Sequence, residues 1–187
     1  MTAGRFRLVY SVAAQADGEL MGVLYDYFHA ADRATAVDRA IGPGGGGPAA
    51  RSLDEAGADW FDAKGMDPNV VLGKLVGFAQ GIPFGSVAEP EMVWPDPVAW
   101  PYGRQAPPGV ASPWDTGLVL QELPDGWRDT LAAVDEEAEP MLALQWYDIE
   151  EVRFADFLDA QAAVRLFVGL ARRAGAAGAS LYCRCTV

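Results

Sequence analysis

Few residues in this chain have side chains that catalysis ordinarily draws on. The single histidine, His29, lies close to Asp26 and Asp32. A general base needs such a histidine held by a carboxylate and aimed at a pocket. No Gly-x-Ser-x-Gly elbow accompanies it, and no serine or cysteine nucleophile motif. At a strand end it reads more simply as a solvated or capping histidine. Asp26, Asp62 and Lys64 are the better catalytic candidates. In extended backbone Asp26 shares a side with Leu24 and Phe28, and Asp62 with Trp60 and Lys64. Charges among such neighbours must be paired or shifted in pKa. Two carboxylates and a lysine can do acid–base work, although a strand-end ion pair around Gly65 is the plainer reading.

Metal chemistry has little material. Cys183-x-Cys185 supplies two thiols, whereas a structural zinc site uses four ligands, usually as two spaced pairs. No metal and no cofactor is therefore assigned. In a strand these cysteines share a face, and a disulfide between them would close a strained ring. They read as apolar cysteines of a buried strand, in keeping with a reducing cytoplasm.

The strongest binding candidate lies between Glu89 and Asp115, which holds seven of the thirteen prolines together with Trp94, Trp100, Tyr102 and Trp114. Proline at this density excludes helix and central strand. A long, structured loop in a domain is usually functional, and Trp, Tyr and Pro make rigid interface anchors. The competing reading is a lid that packs these rings on its own core. Glu89, Glu91, Asp96 and Asp115 surround the rings, so a basic surface would be their complement.

Composition agrees with that complement. The chain has 187 residues with 14 Lys+Arg against 26 Asp+Glu, a formal net charge of −12. Such acidity disfavours nucleic acid and anionic membrane surfaces as partners. No apolar run approaches the roughly 20 residues of a membrane span. Two readings of residues 1–20 compete. Arg5, Arg7 and Ala14-Gln15-Ala16 have the outline of a signal segment, but the apolar stretch between is short and polar. Alternatively Met21 is the natural start, with Asp17-Gly18-Glu19 compatible with a purine-rich ribosome-binding site and residues 1–20 a non-native extension.

The remainder, 21–187, reads as one α+β domain. Val23–Phe28, 59–64, Leu118–Leu120 and Leu181–Val187 have strand character. Asp32 opens a helix whose stripe is Ala34, Val37, Ala40 and Ile41, ended by Gly42. The run from Gly42 to Pro48 is a flexible loop without the Lys-Ser/Thr of a phosphate cradle. Asp67-Pro68 is a strong helix start and Gly81 a natural stop. Gly73 and Gly77 leave one side of that helix open to close approach. A helix begins at Leu123-Pro124-Asp125 with Trp127, Leu131 and Val134 inward. Met141–Trp146 is ambiguous between strand and helix. A long helix runs from about Asp156 to Ala174, with Arg172 and Arg173 in its last turn before Gly175.

Three segments, Met21-Gly22-Val23-Leu24-Tyr25-Asp26-Tyr27-Phe28, Asp62-Ala63-Lys64-Gly65-Met66-Asp67-Pro68 and Leu181-Tyr182-Cys183, resemble a set of actinobacterial proteins, and more loosely the YfbM-like family of small α/β proteins. The resemblance spans 21–187 without the Pro/Trp segment. It implies the α/β layout and the Met21 start, and it carries over no catalytic residue. The expectation is a mixed or antiparallel sheet with helices packed on it and a long Pro/Trp-rich loop at 89–115. The functional expectation is a cytoplasmic, non-enzymatic protein-binding domain of immunity or antitoxin type for a basic partner. The alternative is a small enzyme or ligand-binding protein with its pocket near Asp26, Asp62 and Lys64.

Overall fold

The strand-forming run near residue 180 lies at the centre of the sheet. In the computed structural model, which describes residues 23–43, 52–103 and 105–187, five strands run in the order β2-β1-β5-β4-β3. They are β1 Leu24–Ala30, β2 Trp60–Asp62, β3 Glu91–Trp94, β4 Leu118–Glu122 and β5 Ser180–Thr186, and every neighbouring pair is antiparallel. Side chains of period two then divide the sheet into two faces. Tyr27, Phe61, Leu181 and Cys183 look to one, and Phe28, Leu118, Leu120 and Tyr182 to the other.

Four helices and a wide turn cover the first face. Asp67 caps the start by accepting from the Val70 amide at 2.8 Å, and Pro68 takes the first helical position. The first turn, Pro68–Leu72, is a π turn, with the Leu72 amide bonding back to the Asp67 carbonyl at 3.1 Å. It runs into α2, Gly73–Gln80, which stops at Gly81 in the left-handed region, φ 66°. Gly73 and Gly77 take the close approach expected of them. A β-carbon on Gly73 would stand 2.8 Å from the Phe84 ring, and one on Gly77 3.3 Å from the Ile82 carbonyl oxygen. Then follow α3 Asp125–Ala132, α4 Glu139–Tyr147 and α5 Phe157–Ala177. Trp127, Trp146 and Phe167 fill the space between them and the sheet.

The second face carries much less. Its cover is α1, Arg33–Ala40, opened by Asp32 accepting from the Thr35 amide, together with Leu53 and the half-buried Trp60, Val93 and Trp94. Ala36, Ala40 and Ile41 are buried here, while Ala34, expected inside, is exposed.

The α+β class stands, with a wholly antiparallel sheet. Three local expectations are corrected and one open reading is settled. The segment 89–115 is not all loop, because Glu91–Trp94 forms the edge strand β3, where prolines outside the paired residues do no harm. Met141–Trp146 is helical, its ambiguity arising from apolar residues on both sides: Leu142 and Trp146 buried, Met141 and Leu144 exposed. The long helix passes through Gly175 and ends at Gly178, φ 61°, because only there does the chain turn left-handed. Arg172 and Arg173 therefore lie a turn inside its end and bond elsewhere. Val187, expected on the apolar face, is exposed. The signal-like segment and Met21 lie outside the described residues, as does the glycine-rich run beyond Pro43. Among the described residues no helix is long and apolar enough to cross a membrane.

Candidate functional site

The structure brings Asp26 and Asp62 together but not Lys64. Asp26 stands directly opposite Asp62 across β1–β2 and opposite Arg184 across β1–β5. The Arg184 guanidinium donates from Nε at 3.0 Å and Nη2 at 2.7 Å to Asp26 Oδ2, and from Nη1 to the Ala40 carbonyl at 3.3 Å. Those bonds tie the C-terminal end of α1, where a cation suits the helix dipole, to the middle of the sheet. Burial pushes the Asp26 carboxyl above its ordinary range, Arg184 pulls it back, and the Asp62 charge raises it further. Lys64 is exposed beyond the end of β2. An arginine thus takes the place expected for the lysine, and its geometry is that of a clasp. Arg184 escaped the sequence reading, although it is the one charge in the run Leu181–Cys185.

His29 belongs to another cluster. Its Nε2 lies 3.2 Å from Asp59 Oδ2, and Arg173 on α5 donates to the same carboxylate at 2.6 Å and 3.1 Å. Burial works against the Asp59 charge, but Arg173 and then His29 hold its carboxyl below the usual range. The cluster fastens the approach to β2 onto α5 and includes no nucleophile.

A third network joins α1 to the far edge of the sheet. Arg33 donates through Nε to Glu122 at 2.7 Å and through Nη2 to Glu91, while the Tyr182 hydroxyl donates to Glu122 at 2.8 Å. Burial, followed by the neighbouring carboxylate, raises the Tyr182 hydroxyl pKa.

Beside this network the surface is concave. A groove of about 670 Å³ runs between α1 and β3, with Ala34 and Val37 on one wall and Val93 and Val98 on the other. Its charged lining is Arg33, Asp38, Glu91 and Asp96, three carboxylates against one guanidinium. A smaller concavity of about 330 Å³ at the ends of β3 and β4 is lined by Glu89, Glu91, Glu122 and Asp125, which continues the acid around the edge. Asp26, Asp62 and Lys64 line neither.

The Pro/Trp segment begins at the groove. Asp96 organises its first turn, accepting from the Val98 amide at 2.9 Å through its side chain and from the Trp100 amide at 2.8 Å through its carbonyl. Trp94 packs half-buried on the second face. Trp100 and Trp114 are also half-buried, the Trp114 indole donating to the Trp100 carbonyl at 3.1 Å. Tyr102 sets its ring edge-on to Trp114 with centroids 5.2 Å apart. Tyr102 and Val98 are each 87% exposed. Trp94 thus packs on the body of the chain and Trp100 and Trp114 are half-buried, while Tyr102 and Val98 project.

Cys183 is buried and Cys185 half-buried, both as free thiols, and burial raises both their pKa values. Comparison of the chain with protein-family models, curated proteins and solved structures finds no match.

Proposed function

We propose that this chain is a non-enzymatic protein-binding domain of immunity or antitoxin type. It engages a basic protein through the α1–β3 groove and the projecting side chains of the Pro/Trp segment. The observation that carries the reading is an apolar groove lined by Val98 and rimmed by Asp38, Glu91 and Asp96, in a chain whose Pro/Trp segment also projects Tyr102, both Val98 and Tyr102 being 87% exposed. Large exposed apolar side chains beside a concavity are what a protein interface requires at its centre, with charge at its rim. The net charge of −12 speeds encounter with a basic partner and repels phosphate backbones. Two free thiols suit a reducing cytoplasm as its compartment. The acid–base alternative has less support, because Asp26 is committed to Arg184 and Lys64 is exposed beyond the end of β2.

The test is affinity capture of the tagged protein from native lysate, beside a Val98→Asp/Tyr102→Ala variant, with low-salt and high-salt washes. A stoichiometric basic protein that is released by salt and lost with the variant is expected. Equal capture by both proteins, or no stoichiometric partner at all, overturns the reading.

A further inference from the structure

The protein-binding reading leaves open how the partner is held, and the edge of the sheet supplies an answer that rests on it. β3 ends the sheet among the described residues, and its pairings Glu91↔Glu122, Met92↔Gln121 and Trp94↔Leu120 all go to β4, with the register shifting between Met92 and Trp94. The outer backbone groups of an edge strand are a template for another strand. At the opposite end β2 offers only three residues, against four in β3. The groove borders this edge strand, with Glu91, Met92 and Val93 of β3 in its lining opposite Ala34 and Val37 of α1. Strands sit about 4.8 Å apart, so a segment paired with β3 would run within the groove for roughly 13 Å.

We propose that the groove takes an extended basic segment of the partner, added to β3 as a sixth strand. Alternate side chains of that segment point to opposite faces. Those turned toward α1 meet Ala34 and Val37 and should be small or apolar. The basic side chains reach the rim at Asp38, Glu91 and Asp96, where the lining is three acids to one base. Main-chain bonds supply affinity in this mode and the alternating side chains supply selectivity. The same charges decide against a second copy of this chain as occupant. Pairing two β3 edges would bring together the Glu91 and Asp96 carboxylates of two molecules that each carry −12.

The experiment selects a displayed library of random dodecapeptides on the immobilised full chain at low salt. Enriched peptides are synthesised and their affinity measured by fluorescence polarisation, with hydrogen exchange locating the site. The expected peptides alternate Lys or Arg with apolar residues and slow exchange of the β3 amides. N-methylation of alternate peptide amides on the paired edge should weaken binding about tenfold, since it removes main-chain bonds and leaves the side chains. Ala34→Lys, at an exposed position that leaves the core intact, should weaken it by a similar factor. Acidic winners, protection confined to the segment around Tyr102, or indifference to N-methylation each overturn strand addition. Failure to enrich any peptide overturns it too. The protein-binding reading then stands or falls separately on the lysate capture and its Val98→Asp/Tyr102→Ala control.

Discussion

The two faces of the sheet are built on different physics. The face under α2–α5 is closed by apolar packing: Trp146, Phe167 and Leu75 are at most 2% exposed, and the Trp146 indole finds the Val71 carbonyl at 2.8 Å. The face under α1 is thin. Between its apolar residues it carries Asp26–Arg184, and at its rim Arg33 with Glu91 and Glu122. Helix α1 is too short, at eight residues, to cover the sheet by contact alone. Charged clasps hold its two ends, and the part of β3 it leaves uncovered becomes the groove. The lesson is that the side with the smaller core is where surface chemistry collects.

Breaking each face should reveal the contrast. The largest loss is expected on the packed face. Trp146→Ala removes a ring in contact with Phe154 and Phe167 and should cost about 4 kcal/mol, read as a lower urea midpoint. A loss below about 1 kcal/mol would mean that the helical layer repacks freely.

Next comes Arg184→Met, about 3 kcal/mol at neutral pH, because it leaves Asp26 buried without its cation. Here the pH dependence carries the information. Removing the guanidinium leaves burial and Asp62, both of which raise the Asp26 pKa. A carboxyl raised in the folded state contributes stability below its unfolded pKa of about 4 and loses it as pH rises. The deficit of Arg184→Met should therefore shrink in urea titrations moved from pH 7 toward pH 4. A deficit independent of pH would mean that lost packing, not an uncompensated charge, is responsible.

Asp59→Asn should have a smaller effect of the opposite pH sense. Its carboxyl is held low, so the clasp to Arg173 stabilises above about pH 4 and is lost as the solution is acidified further. With the Asp59 side chain 40% exposed, screening keeps the cost at or below about 1 kcal/mol. The difference between the variant and the parent chain should vanish in strong acid.

Smallest of all, Tyr102→Ala should change stability by less than about 0.5 kcal/mol while weakening partner capture. A large loss of stability would make Tyr102 a structural prop instead of a contact.

Local signals told the truth where the physics is local. Asp67-Pro68 and Gly81 bracket a helix because capping, proline and a left-handed glycine act within a few residues. Gly175 misled because a glycine can stand inside a helix, and which of two glycines ends it depends on where the backbone turns into the following strand. β3 was hidden because prolines mark the segment as loop, while its pairing with β4 lies beyond them in the chain. The candidate site divides in the same way. Asp26 and Asp62 were visible as misfit charges in apolar strands. Their partner was not, since Arg184 is 158 residues from Asp26 and no spacing rule links them. The α1–β3 groove likewise exists only once the last strand has drawn β1 and β4 together.

That central strand also sets an order of events during synthesis. β5 follows the other four described strands in the chain, yet it pairs on one side with β1 and on the other with β4. Until it leaves the ribosome, β1 with β2 and β3 with β4 are two separate ribbons, each marginal in water by itself. Helices can form as they emerge, but the sheet that receives them must wait for residues 180–186. Contacts of such long sequence separation make for slow folding. Trp127, Trp146 and Phe167 therefore emerge before the sheet that shelters them is complete, and chaperones have their opportunity in that interval.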